Sequence, residues 1–153
     1  MINHVEEPPT GGFAALVPEF VVGDLAASLH FWCDLLGFRI AYRRSEDDFA
    51  YLERDGAQVM LEVSSGAWQT GVWERPLGRG INFQILVDRL EPLLDALASA
   101  SWPLFRTPHE AWYRIRDQEV GMHQFLVQDP DGYLLRFAQP FGRRPISPAG
   151  PRV

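Results

Sequence analysis

An arginine that interrupts an apolar segment near the end of the chain is the first candidate for specific chemistry. Two apolar runs, residues 125–127 and 133–137, flank Asp129-Pro130-Asp131-Gly132, and Arg136 lies inside the second run. A charge within an apolar strand needs a partner, because an unpaired buried ion is costly. Two interpretations remain open: Arg136 lines a cleft and pairs with a ligand anion or with Glu62, or it forms a purely structural ion pair.

Aromatic residues in loop-like or boundary surroundings form a second candidate group: Trp68, Trp73, Trp112 and Tyr113. Their rings can stack on a flat or cationic ligand, with about 0.5–2 kcal/mol for each contact to a cation. Tryptophan and tyrosine are also typical of subunit interfaces, and the two interpretations coincide if the cleft lies at an interface. The 20 acidic and 14 basic residues give a formal charge of −6, which would suit a cationic ligand.

Other familiar chemistries find little support. His30 and His123 have no serine or carboxylate at a motif spacing, and Cys33 is expected to be a small buried side chain. No phosphate loop, zinc-ligand spacing or dinucleotide-binding glycine pattern is present. The negative charge argues against nucleic acid, and no apolar run approaches the roughly 20 residues of a membrane span. The single cysteine and the start MINHVEEPPTGG, which lacks a secretory signal, predict a cytoplasmic protein with no membrane or nucleic-acid partner.

The candidate residues lie in a pattern of strands and helices that occurs twice. The first half predicts a strand at 13–22, a helix at 25–36, and strands at 38–43, 49–53 and 58–63. The second half predicts a strand at 81–87, a helix at 90–100, strand-like runs at 102–106 and 112–116, and a hairpin around residues 129–132. Asp24 is a suitable N-cap of the first helix, Gly37 a suitable end, and Asp55-Gly56 a tight hairpin turn.

These elements predict one α+β domain at 13–141, built from two βαβββ modules. The modules are expected at 13–64 and 80–141, with a connection at 65–79. A disordered leader is expected at 1–12 and a disordered tail at 142–153. A βαβββ unit leaves one face of its sheet uncovered, so two units would combine into a cupped mixed sheet with a concave surface.

With both halves in place, the chain resembles the vicinal-oxygen-chelate superfamily of glyoxalases, bleomycin resistance proteins and dioxygenases. The matching segments are Val22-Gly23-Asp24-Leu25, Phe31-Trp32, Leu35-Leu36-Gly37-Phe38, Arg54-Asp55-Gly56-Ala57, Val59-Met60-Leu61-Glu62, Asp129-Pro130-Asp131-Gly132 and Leu134-Leu135-Arg136-Phe137. The resemblance covers residues 13–141 and implies the glyoxalase/bleomycin resistance fold. Function does not follow from the fold alone, because one fold hosts many activities.

The resemblance also implies where a metal would bind. Metalloenzymes of the superfamily carry His, Gln or Glu at four positions, which correspond here to Val17, Met60, Asn82 and Arg136. Valine cannot ligate, a thioether is a poor ligand for hard cations, and a guanidinium would repel one. Only Asn82 offers an oxygen. The chain is therefore similar to the metal-free branch, closest to bleomycin resistance proteins.

That branch implies sequestration of a bleomycin-type antibiotic in clefts of a homodimer, with no cofactor, no metal and no catalytic residue. The candidate ligand-binding residues are Met60, Glu62, Trp68, Trp73, Asn82, Trp112, Tyr113 and Arg136. Two alternatives remain open. One is a lyase or dioxygenase with a divergent metal site, and the other is a metabolite-binding protein with no resistance role.

Overall fold

The computed structural model describes residues 7–146, which form two four-stranded sheets, each with one main helix. The first module consists of β1 (Glu19–Val22), α1 (Leu25–Leu29), a π-helical continuation (His30–Leu35), β2 (Arg39–Arg44), a 3₁₀ turn (Ser45–Asp47), β3 (Phe49–Arg54) and β4 (Ala57–Val63). The second consists of β5 (Asn82–Leu86), α2 (Glu91–Ser99), β6 (Leu104–Ile115), β7 (Gln118–Gln128) and β8 (Leu134–Pro145). The strand orders are β1-β4-β3-β2 and β5-β8-β7-β6, so both modules share one topology.

Turn chemistry fixes the register of the two hairpins that the sequence predicts most clearly. Asp55 and Gly56 adopt φ values of +48° and +90° and join Arg54 to its cross-strand partner Ala57. In the hairpin between β7 and β8, Gly132 N donates to the carbonyl of Asp129 at 3.0 Å. The buried Asp129 side chain also accepts from the backbone N of Asp131 and of Tyr133. Both hairpins therefore form as predicted.

One hydrophobic core joins the modules, and it contains one face of each sheet together with both helices. The Phe20 ring lies 4.7 Å from the rings of Phe83 and Tyr133, and the Phe31 ring lies 4.7 Å from that of Trp102. The opposite face of each sheet is left outside this core. We refer to these as the first open face, on β1 to β4, and the second open face, on β5 to β8.

The described structure extends beyond the predicted ordered chain at both ends. Thr10 lies in the stretch expected to be disordered, yet its backbone N and hydroxyl bond the Glu53 carboxylate at 2.8 and 3.0 Å. Glu53 is only 5% exposed, so it needs these donors. At the other end β8 continues to Pro145, because β7 is long enough to pair with it. The expectation of disorder was therefore wrong for residues 7–12 and 142–145; the rest of the predicted leader and tail lies outside the described residues.

Two further local expectations differ from the structure. The first strand is shorter than predicted, since residues 13–18 belong to the segment that crosses the first open face. β6 is one long strand rather than two short runs, because β7 pairs along its whole length. On the first helix, Nδ1 of the exposed His30 lies 2.7 Å from Oδ2 of Asp34, which is four residues further along.

Candidate ligand-binding site

The first open face is largely filled by the chain's own N-terminal segment. Met60 and Val17 pack against the buried trio Ala41, Phe49 and Tyr51. The Phe13 ring covers Tyr51 at 5.5 Å in an edge-on contact. Gln58 holds the segment in place: its amide donates to the Gly12 carbonyl at 2.8 Å and accepts from Ala14 N at 2.9 Å. Met60 is therefore a packing residue in the isolated chain.

Two carboxyl groups lie side by side at the end of this face where β1 and β4 pair in parallel. The register sets Glu19 opposite Met60 and Val21 opposite Glu62. Partial burial raises the pKa of Glu19 to about 7, and a hydrogen bond with Glu62 together with the charge of Glu62 adds to the rise, which Arg44 opposes. A proton shared by the two carboxyl groups, or a cation close to them, therefore stabilises the pair.

A small cavity of about 150 Å³ adjoins this carboxylate pair. Glu62, Trp68, Trp73 and Tyr133 contribute to its walls. Trp68 Nε1 donates to Glu62 Oε2 at 3.2 Å, so the tryptophan is held against the carboxylate. Three of the predicted ligand-binding residues thus come together here, in surroundings of one carboxylate and several aromatic rings that favour an organic cation.

The second open face carries Arg136 within a network of polar side chains. Arg136 Nη1 donates to the Tyr113 hydroxyl at 3.2 Å, and Gln124 Nε2 donates to the same hydroxyl at 2.8 Å. Gln124 Nε2 also lies 3.0 Å from Nε2 of His109, whose Nδ1 is 2.9 Å from the Thr107 carbonyl. Strands β6, β7 and β8 supply these side chains, and β7 lies between the other two.

Within a single chain Arg136 does not pair with Glu62, contrary to one of the two pairings considered from the sequence. Each side chain lies on the open face of a different sheet. Within residues 7–146, no carboxylate lies within salt-bridge distance of Arg136, so a structural ion pair is not formed there either. Its Nε is buried and also lacks a partner among these residues. Arg136 remains a partly buried cation without a counter-ion in this part of the chain.

Trp112 does not share a surface with Tyr113, although the two were predicted to bind together. Adjacent residues of a strand point to opposite faces. Trp112 packs on the face away from Arg136: its Nε1 donates to Glu110 at 2.5 Å, its ring lies 5.1 Å from that of Phe141, and the Arg144 guanidinium lies 3.8 Å from its centroid. Within a single chain, Trp112 and Tyr113 therefore lie on opposite surfaces of their sheet.

Asn82 opens β5 at the end of the second open face and also borders an apolar groove of about 430 Å³ with Pro18 and Phe83. The resemblance assigns four positions to a metal, and the structure brings no better metal-ligating groups to them than the sequence indicated. Met60 and Val17 both pack against the buried trio Ala41, Phe49 and Tyr51, and Arg136 brings a positive charge. In the described part of the chain no three His, Cys, Asp or Glu side chains are grouped as a metal site would require.

Sequence reasoning missed Gln124 and His109, which complete the Arg136 network. Gln124 is 4% exposed and lies on the same strand face as Leu126, the cross-strand neighbour of Arg136. A buried glutamine in an apolar strand was a signal of the same kind as Arg136 itself. His109 gave no such signal, because the interrupted pairing between residues 106 and 109 displaces it from simple alternation.

Comparisons with known proteins agree with this architecture. The sequence profile of the Glyoxalase/Bleomycin resistance protein/Dioxygenase superfamily matches residues 2–137. Bleomycin resistance proteins of Geobacillus stearothermophilus and Staphylococcus aureus are 31% identical over 129 residues, which cover 80% of this chain and 94% of theirs. The chain therefore belongs to the glyoxalase/bleomycin resistance protein/dioxygenase superfamily.

Solved structures show the same fold. A bleomycin resistance determinant encoded on the transposon Tn5 has a TM-score of 0.56 at 21% identity, covering 83% of this chain and 98% of that one. A superfamily member from Alicyclobacillus acidocaldarius has a TM-score of 0.59 at 20% identity, covering 84% and 92%. The predicted family and the predicted α+β fold of two βαβββ modules are both confirmed. Within residues 7–146, no helix is long and apolar enough to cross a membrane.

Proposed function

We propose that this protein binds and sequesters a small molecule without a metal, in clefts formed by two copies of the chain, and that the ligand is a bleomycin-type antibiotic. The observation that carries the proposal is the chemistry of the ligand positions: Met60 is a packing residue and Arg136 is a cation. The relatives that are 31% identical are bleomycin resistance proteins, which supports the choice of ligand.

Uncovered apolar side chains on the second open face support the homodimer. Leu86 and Ile115 are each 54% exposed, and Tyr113 is 38% exposed. Contiguous exposed apolar surface around a few polar groups is typical of an interface or a ligand cleft. A second copy placed over this face would bring the carboxylates and tryptophans of a first open face to its edge. Such a cleft would combine Glu62, Trp68 and Trp73 of one chain with Tyr113, Asn82 and Arg136 of the other.

Titration with bleomycin, followed by tryptophan fluorescence and by calorimetry, tests the drug assignment. We expect saturable quenching at micromolar drug, and a clear loss of affinity in the Trp68→Phe variant. Trp112→Phe serves as the matched control, because Trp112 lies on the other face of its sheet and its loss should leave the affinity unchanged. Wild-type protein that shows no quenching at micromolar bleomycin would remove the drug from the proposal.

Two further measurements test the metal-free and dimeric parts of the proposal. Elemental analysis of protein purified without chelators should find no stoichiometric Ni, Zn, Mn or Fe. Sedimentation velocity should find twice the chain mass of 17.4 kDa. A stoichiometric metal would revive the divergent lyase or dioxygenase, and a monomer that binds the drug would contradict the shared cleft.

One observation favours a second candidate, a protein that binds a metabolite and has no resistance role. Arg136 lacks a counter-ion within the described chain, which does not suit a ligand that is cationic throughout. Native mass spectrometry of protein taken directly from cells should then reveal a co-purified small molecule. Protein that carries no ligand yet binds bleomycin would speak against this candidate.

A further inference from the structure

The hydrogen bonds on the second open face have a fixed direction, which begins at a histidine. Nδ1 of His109 lies 2.9 Å from the Thr107 carbonyl oxygen. A carbonyl only accepts, so Nδ1 carries a proton and the neutral ring accepts at Nε2. The group facing Nε2 at 3.0 Å is Nε2 of Gln124, which must therefore donate. This fixes the orientation of the Gln124 amide.

The direction continues from Gln124 to Tyr113. The second N–H of the Gln124 amide donates to the Tyr113 oxygen at 2.8 Å, and Arg136 Nη1 donates to the same oxygen at 3.2 Å. A phenol oxygen has two lone pairs, and both are then occupied. The hydroxyl in turn donates to Gln124 Oε1 at 3.2 Å. A ligand oxygen would compete with Gln124 Oε1 for the hydroxyl proton of Tyr113, and the present contact at 3.2 Å is the longer of the two to this amide.

Arg136 is left with unused donors as well. A guanidinium has five N–H groups and no acceptor, and one of them is used on Tyr113. Nε is buried without a partner among the described residues. A second arginine lies in the same row: the register runs Gln84, Arg136, Leu126, Arg106 across the four strands. Arg106 is therefore about 10 Å from Arg136, two strand spacings away.

Within residues 7–146, the three rows of this face nearest to Arg136 carry no negative charge. The row on one side of Arg136 contains Asn82, Leu134 and Gln128. The row on the other side contains Leu86, Ala138, Gln124 and His109. With the row of Arg136, they contain two arginines and neither an aspartate nor a glutamate. Donors from Arg136 and Tyr113 converge on a part of the face that has no carboxylate, and uncharged or apolar side chains lie around them. Such an arrangement matches an oxyanion, which offers only acceptors.

We infer that Arg136 and Tyr113 form a binding site for an oxyanion, the carboxylate or phosphate group of a small-molecule ligand, on the second open face. The inference rests on the proposed function only in placing the ligand on this face. It adds that the ligand carries a negative group at this end, whatever positive group it presents to Glu62. A carboxylate would take two donors from the guanidinium fork and the third from the Tyr113 hydroxyl.

Calorimetric titration of the full chain with benzoate and with phenyl phosphate tests the site, and benzamide serves as the uncharged control of similar shape. At low ionic strength, where screening is weak, we expect saturable binding of at least one anion and none of benzamide. Arg136→Gln should weaken anion binding by about tenfold or more, because a charge-assisted hydrogen bond contributes ~1.5–3 kcal/mol. Tyr113→Phe should weaken it by about threefold or more.

Matched variants separate loss of the site from loss of the fold. Arg114 alternates to the other side of β6, where its Nε donates to the Arg116 carbonyl at 3.0 Å, so Arg114→Gln should bind the anion as the wild type does. Arg136→Lys should restore part of the affinity. If Arg136→Gln fails to give a folded circular dichroism spectrum, Tyr113→Phe still tests the hydroxyl donor.

Three results would overturn the inference: equal binding of benzamide and benzoate, undiminished binding by Arg136→Gln, or no saturable anion binding at millimolar concentrations. If no anion binds, the Glu62→Gln variant tests whether the Glu62 carboxylate of a second copy already occupies Arg136. If that variant gains benzoate binding, a carboxylate of a second copy occupies Arg136, and the small-molecule site is refuted. If the protein binds the anion but not bleomycin, this inference stands and bleomycin is excluded as the ligand. If the protein binds bleomycin but not the anion, this inference is refuted and the proposed function stands.

Discussion

The first open face presents Glu19 and Glu62 beside two tryptophans, and its centre is covered by residues 7–18. The second open face presents Arg106 and Arg136 with Tyr113, and its apolar residues Leu86 and Ile115 are exposed. The modules that carry these faces have the same strand order and the same parallel pairing of first and last strand. Equal topology has therefore produced faces of opposite charge.

The register shows where the two modules differ. In the first module Glu19 is paired with Met60, and in the second Gln84 is paired with Arg136. One residue further along each strand, Phe20 pairs with Leu61 and Ile85 with Phe137, all of them in the common core. Packing restricts the core faces to apolar residues of suitable volume. The open faces have no such restriction, so the chemistry of the site can change there without loss of the fold.

Removal of Glu53 should give the largest effect, because it separates the covering segment from the first open face. Burial would raise the pKa of Glu53, but the bonds from Arg39 and Thr10 lower it below the usual range. We expect Glu53→Ala to lower the free energy of unfolding in urea at neutral pH by about 2–4 kcal/mol, as for other broken buried pairs. Because the folded pKa is depressed, the contribution should be lost as pH falls through that value.

The exposed Glu46 provides the control for this prediction. It lies in the 3₁₀ turn of the same sheet, so Glu46→Ala should change the stability by less than about 0.5 kcal/mol. Limited proteolysis should also cut within residues 7–18 faster in Glu53→Ala than in the wild type. If cleavage is unchanged while stability falls, Glu53 holds only Arg39 and the covering segment is secured by Gln58 alone.

Gln124→Leu should have the next largest effect, this time on the second open face. Leucine fills a similar volume but breaks the bonds to His109 and Tyr113. The loss should be about 1–3 kcal/mol in urea unfolding, the range for leaving buried polar partners unsatisfied. Gln128→Leu is a matched control in the same strand, with one bond to the Gly132 carbonyl. Equal losses in both variants would show that the Tyr113 network adds no stability of its own.

The sequence predicted the fold well because its strongest signals are local. Asp55-Gly56 and Asp129–Gly132 set two hairpins, and the apolar periods set the strands around them. The site was predicted only in part. That Tyr113 and Arg136 meet depends on how β6, β7 and β8 are aligned, and two register shifts in β6 conceal this in the sequence. Order in residues 7–12 was missed because it comes from distant partners, Glu53 and Gln58, rather than from the composition of the segment.

Glu19→Gln should have the smallest effect, and one that depends on pH. The folded pKa of Glu19 is raised to about 7 by partial burial and by Glu62, so folding favours the protonated form. The stability linked to this proton is present at acidic pH, below the unfolded value, and is lost as pH rises through about 7.

Since Glu19 is exposed to solvent, screening should limit the gain in Glu19→Gln at pH 8 to roughly 1 kcal/mol or less. The gain should be smaller at pH 5 and should vanish below the unfolded value of 4.5. Thermal unfolding of wild type and Glu19→Gln at pH 8 and at pH 5 measures this gain in stability. Equal gains at both would mean that Glu19 and Glu62 do not share a proton. The same titration with a cationic ligand bound should remove the difference between variant and wild type, because the ligand would then supply a positive charge beside Glu19 and Glu62.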